Sequence, residues 1–120
     1  MPLIEDGRIK PLAVTGAKRS GAVPAVPTVA ESAGMVSGLA GFDSSSWQGL
    51  FAPARTAGAV VTRIQQATAK ALAAADVQQR LKLMGSVGVG TTPAVFAAYY
   101  QAEIVKFAKL VRDAKIPKQD

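Results

Sequence analysis

Residues Asp43 to Trp47, read as DSSSW, set three hydroxyls between a carboxylate and an indole. A serine nucleophile needs a base to take its proton, and the chain has no histidine anywhere. It has no cysteine either, so thiolate chemistry and disulfides are both absent. No pair of carboxylates stands out for general acid–base work. Losing histidine also removes the commonest neutral metal ligand. Neither a metal nor a cofactor is expected, and an enzyme is the weakest reading. The serines and the indole suit hydrogen bonding to a small polar ligand, or equally a strand edge beside a core tryptophan. Asp43 fits an ammonium, a bridging water or the capping of a turn. The other candidate, GSVGVG at Gly85–Gly90, lacks both the dinucleotide-binding spacing and the Lys-Ser/Thr of a phosphate loop.

Charge raises a second possibility. The formal net charge is +6, yet the cations are spread out and the longest basic run is Lys18-Arg19. Lys106, Lys109, Arg112, Lys115 and Lys118 recur at helical spacing and would form one basic stripe. Such a stripe is either a solvated helix face or an anionic-polymer surface. Binding of nucleic acid through it is the alternative function, although no nucleic-acid partner is the primary expectation.

The elements that must position these residues are modest. The chain has 120 residues, one domain or part of one. Apolar residues make up 49%, with only four Phe, two Tyr and one Trp, so the core is expected to be thin and to lean on a partner or a second copy. MPLIEDGRIK has no basic and apolar signal-peptide pattern, and no run approaches a membrane span.

A first strand is predicted over Arg8–Thr15, with Leu12-Ala13-Val14 as its buried run and Gly16 as its break. Pro24 and Pro27 are expected to hold the next segment extended. Thr28 then caps a short helix to about Ala33, with Glu31 at the capping-box position. A flexible loop covers Gly34–Gly41, and a second strand is predicted over Phe42–Ala54. Helix follows from Thr56 with Val60, Ile64, Ala67 and Ala71 inward. Asp76 caps a third helix that buries Val77, Leu81 and Met84 and ends at Gly85. Ser86–Gly90 reads as a short strand or turn. Thr92-Pro93 opens a long last helix whose stripe, Phe96, Tyr100, Ile104, Phe107 and Val111, is expected to be core. Ile116-Pro117 ends that helix. This order argues an α/β fold.

The series of motifs resembles the solute receptors of tripartite tricarboxylate transporters, also called Bug receptors. The resemblance rests on LIEDGRIKPLAVTGAKRSGAVPAVPTVAESAG from Leu3 to Gly34, on FDSSSWQGLFAPARTAGAVVTRIQQATAKAL, and on TTPAVFAAYYQAEIVKFAKLVRDAKI. It departs where the family's Thr-Pro reads Thr56-Ala57 and its Leu-Pro reads Val23-Pro24. The resemblance implies a type II periplasmic-binding-protein fold, two α/β lobes joined by crossing strands. Such receptors are periplasmic and are not enzymes. They capture a small carboxylate or related metabolite and present it to inner-membrane permease subunits. Residues 1–50 would be the end of the second lobe with the crossing strands, and 51–120 the helical part that completes the first. The chain would be a C-terminal fragment of such a receptor, without the Pro-Gly-Gly loop that supplies much of the family's carboxylate site. Thr15, Asp43, Ser45, Ser46 and Trp47 would line the cleft. Thr15 and the serines would donate to a carboxylate or its waters, and Trp47 would form a wall. The open half-receptor is expected to pair with itself as a homodimer, by exchange of the long C-terminal helix.

Overall fold

Val14 organises the first half of the chain. In the computed structural model, which describes residues 2–117, its N–H donates to the Pro27 carbonyl at 2.8 Å, and its own carbonyl accepts from the Val29 N–H at 2.9 Å. The result is a parallel bridge between Val14 and Thr28. The next carbonyl, Thr15, points the other way and accepts from Ser44 N–H at 2.8 Å. Pairing to alternate sides is what a central strand does. Here it lasts two residues.

The strands expected over Arg8–Thr15, Phe42–Ala54 and Ser86–Gly90 do not form among the described residues; the Val14–Thr28 bridge is isolated. The reason is that a strand is a relation between segments. Extended backbone stays irregular until a neighbour takes its N–H and carbonyl groups, and these segments find neighbours only around Val14 and Thr15.

The connector from Lys18 to Ser32 is also not extended. The Ser20 carbonyl accepts from Val23 N–H at 3.1 Å, and the Val23 carbonyl from Val26 N–H at 3.0 Å. Two successive turns result, the second with Pro24 in the position where a fixed φ favours turning. The capping box forms as expected. Thr28 N–H donates to Glu31 Oε2 at 3.1 Å, and Glu31 N–H donates to Thr28 Oγ1 at 3.1 Å. The helix it caps is a tight 3-10 turn, Ala30–Gly34, rather than an α-helix. Glu31 also pairs with Arg19, whose Nε lies 2.9 Å from Oε2. The cation at the connector's start is thereby tied to the acid at its end.

Among the described residues four α-helices complete the chain: α1 Pro2–Glu5, α2 Gly58–Leu72, α3 Ala75–Leu83 and α4 Pro93–Asp113. Sequence reasoning missed α1, a single turn. In α2 the expected inward face is the wrong one. Val60, Ile64, Ala67 and Ala71 are exposed, while Val61, Gln65, Thr68 and Leu72, one position on, are half-buried. In α3 the cap is Ala74 in extended conformation, not Asp76. Asp76 sits inside the first turn, where its charge still favours the helix N-terminus. Gln78 donates its side-chain amide to the Leu72 carbonyl, satisfying one orphan at the end of α2. Val77 and Leu81 are half-buried, but Met84 is exposed. Thr92 caps α4 as expected, its Oγ1 accepting from Val95 N–H at 3.4 Å, with Pro93 in the first turn.

Both α3 and α4 end in the same two-bond motif. After α3, Gly85 has φ 70°, Gly85 N–H donates to Lys82 and Ser86 N–H to Leu81. After α4, Lys115 N–H donates to Arg112 and Ile116 N–H to Val111, with Lys115 at φ 52°. The first site has the glycine that left-handed backbone favours; the second holds a side chain there at a cost. Lys115→Gly should therefore raise stability by about 0.5–1 kcal/mol, because the left-handed penalty disappears while both bonds remain. A denaturant midpoint that falls would contradict this account of the terminus.

The chain divides into two compact units. One comprises Met1–Ala52 with Leu72–Gly88, the other Pro53–Ala71 with Val89–Asp120. Burial is sparse: Val26 is the one buried large apolar residue among those described, and Thr28 and Glu103 are buried polar ones. The chain exposes 9900 Å2. A folded monomer of 12.4 kDa is expected to expose about 6,100 Å2. The expected core stripe of α4 is part of that excess, since Tyr100, Ile104, Phe107 and Val111 all remain exposed.

Candidate functional site

The first unit brings residues 15–17 against residues 43–45. Thr15 supplies its carbonyl to Ser44, and two residues later Ala17 N–H donates to Asp43 Oδ1 at 3.0 Å. Gly16 lies between them. A β-carbon there would stand 3.1 Å from Ser45 Oγ, so the missing side chain is what lets Ser45 come close. Two loops far apart in sequence are thus clasped by one backbone bond and one carboxylate. Thr15, Asp43, Ser45 and Ser46 are exposed, and Trp47 is half-buried.

These contacts unite Thr15, Asp43 and Ser45. Ser46 and Trp47 follow on the same irregular segment. Gly16 and Ala17 belong to the junction too, and their one cue in the sequence is a glycine directly after a predicted strand. Asp43 accepts a backbone N–H from 26 residues away, a long-range tie rather than any of the three roles weighed for it. Hydroxyls and backbone amides at such a junction can donate to an anion. Among the described residues no cluster of three or more His, Cys, Asp or Glu side chains could hold a metal.

The basic stripe of α4 is interrupted. Lys106 pairs with Glu103 and stands 5.5 Å from the Phe107 ring centre, and Lys109 pairs with Asp113. Lys115 lies past the helix end, and Lys118 lies outside the described residues. A groove of about 290 Å3 in the first unit is lined by Glu5, Ala22, Gln79, Lys82 and Leu83. No helix among the described residues is long and apolar enough to cross a membrane.

Residues 1–115 match the family described as tripartite tricarboxylate transporter family receptor. A UPF0065 protein from the tcbD–tcbE intergenic region of Pseudomonas sp. (strain P51) is 38% identical over 91% of this chain and 31% of its own length. A second, from the TAR-I ttuE–ttuC' intergenic region of Agrobacterium vitis, is 32% identical over 92% of this chain and 32% of its own. A third, from the clcB–clcD intergenic region of Pseudomonas knackmussii, is 29% identical over 90% of this chain and 62% of its length. Among solved structures, R. palustris Rpa4515 with adipate is 32% identical and superposes with a TM-score of 0.72. That match covers 95% of this chain and 36% of the solved one. The chain therefore spans about a third of the length of most of these relatives.

Proposed function

Because the chain belongs to the tripartite tricarboxylate transporter receptor family, we propose that it takes part in extracytoplasmic capture of a small carboxylate for a membrane transporter, without catalysing a reaction. The observation that carries this reading is the adipate-bound neighbour, whose likeness runs through 95% of the chain. A periplasmic-binding-protein-like fold is supported by the same likeness, although the described residues hold almost no strand. In this reading residues 1–50 form the end of one lobe and the crossing segments, and 51–120 the helical completion of the other.

The proposed contacts are Thr15, Ser45 and Ser46, as donors to a carboxylate or its waters, with Trp47 as a wall. Asp43 would act by holding Ala17, and so the loop, in place. A negative charge aimed at a carboxylate ligand would repel it, which fits Asp43 to holding Ala17 rather than to touching the ligand. Ligand chemistry follows from this: a flexible dicarboxylate of adipate's type, recognised by neutral donors rather than by an ion pair.

Trp47 is the chain's single tryptophan. Its fluorescence gives a direct test, since a ligand beside it changes the indole's surroundings. Titration with adipate should give a saturable change in intensity or wavelength, and Trp47→Phe should abolish it. Emission that stays unchanged across dicarboxylates and tricarboxylates would argue against a cleft at these residues. Salt-sensitive binding of arbitrary DNA in their place would favour the anionic-polymer reading instead.

A further inference from the structure

Residues 14–19 form a short span fastened at both ends to the connector that follows it. At one end Val14 N–H donates to the Pro27 carbonyl, and the Val14 carbonyl accepts from Val29 N–H. At the other end the Arg19 side chain forks. Its Nε donates to Glu31 Oε2 at 2.9 Å and to Oε1 at 3.2 Å, and its Nη1 donates to the Pro24 carbonyl at 3.4 Å. Glu31 is itself held, because Oε2 also accepts Thr28 N–H and Glu31 N–H donates to Thr28 Oγ1. Thr28, 2% exposed, is the residue bridged to Val14. Both fastenings therefore end on one hydrogen-bonded piece of chain, residues 24–31. Between them Thr15 and Ala17 bond to Ser44 and Asp43, and Gly16 lets Ser45 approach.

We propose that Arg19, acting through Glu31, is a positioning residue for the carboxylate site. It fixes the far end of the span, so that Thr15 and Ala17 meet Asp43 and Ser45 at a set distance. This role rests on the carboxylate-receptor reading and adds to it a pair outside the cleft that governs affinity.

The effect should be local. Ion pairs with side chains 48% and 46% exposed add little to global stability. Without Arg19, however, the span is anchored to the connector by Val14 alone, and the single bond from Ala17 to Asp43 must order the rest of the loop. The fork matters as much as the charge. A guanidinium grips a carboxylate in a set geometry, whereas a lysine ammonium is a point charge on a flexible stem.

The test uses the full 120-residue chain and two readouts, adipate affinity from Trp47 fluorescence and amide exchange of the ligand-free chain by NMR. Arg19→Ala should weaken adipate about fivefold or more, with the melting temperature within about three degrees of the unaltered chain. Exchange at the Ala17 amide should be about fivefold faster, while the Ser86 amide, bonded to Leu81 in the same unit, stays unchanged. Glu31→Gln keeps an oxygen for Thr28, since glutamine also serves a capping box, but loses the charge that holds Arg19. It should weaken adipate as well. A merely electrostatic influence on the site would do the reverse, since removing a negative charge favours an anionic ligand. Arg19→Lys should resemble Arg19→Ala. Undiminished affinity in Arg19→Ala or Arg19→Lys, or tighter binding in Glu31→Gln, would each overturn the proposal. Should the unaltered chain not respond to adipate, the receptor reading fails by itself and the Ala17 amide decides: faster exchange in Arg19→Ala upholds the fastening, and unchanged exchange overturns it.

Discussion

Adipate held at about one hundred times its dissociation constant should raise the unfolding free energy by about 2.7 kcal/mol, because it binds only the folded chain. For a chain of this size that corresponds to a rise of roughly ten degrees in melting temperature. The neutral diamide of the same acid is the discriminating control. It keeps length and apolar stem but replaces both carboxylates, so a receptor for carboxylates should leave its melting temperature unmoved. Equal shifts with acid and diamide would mean that the stem, not the charge, is recognised. No shift from either, or from shorter and longer diacids and tricarboxylates, would remove this chain's residues from the ligand site.

Replacing Asp43 by alanine should lower stability by about 1 kcal/mol, since the Ala17 N–H loses an acceptor that is charged but solvent-exposed. The proposed ligand affinity should fall further, by about tenfold or more, because the clasp sets the distance between Thr15 and Ser45. Asp43→Asn separates the two possible roles. Asparagine keeps a side-chain oxygen for Ala17, so it should retain both the stability and the affinity if Asp43 works by holding the loop. Were Asp43→Asn as damaging as Asp43→Ala, the carboxylate itself would be in contact with the ligand or its waters.

Some of this architecture was legible because it is local. Thr28 and Glu31 are three residues apart, as are Thr92 and Val95, and a side chain reaches that far without help from the rest of the fold. The faces of α2 were not legible in the same way. That helix carries an apolar stripe, Val60-Ile64-Ala67-Ala71, and a mixed one offset by a single residue, Val61-Gln65-Thr68-Leu72. Periodicity favours the apolar stripe, yet the covered one holds the glutamine and the threonine. Gln65 explains part of this, since its side-chain amide donates to the Gly90 carbonyl at 3.2 Å. The strands failed for a third reason. A short apolar run at Arg8–Thr15 and alternation at Phe42–Ala54 prepare a segment for pairing, but the pairing partners lie elsewhere in sequence. For the candidate site, residue types pointed to the DSSSW run and the family resemblance to Thr15, while the Asp43–Ala17 bond spans 26 residues and has no sequence signature.

The discontinuity of the first unit has a bearing on how the protein is made. Its two segments, Met1–Ala52 and Leu72–Gly88, are separated by most of α2. A nascent chain that has released Ala52 from the ribosome therefore holds the Val14 bridge and the Asp43 clasp without the helix that completes their unit. At roughly 5–20 residues per second, several seconds pass before Gly88 is joined to the chain. During that interval Ala22, which lines the groove together with Gln79, Lys82 and Leu83, has only solvent or a chaperone to meet. Slower elongation over the α2 codons would lengthen this window, and the yield of folded chain should be more sensitive to it than to synonymous changes after Gly88.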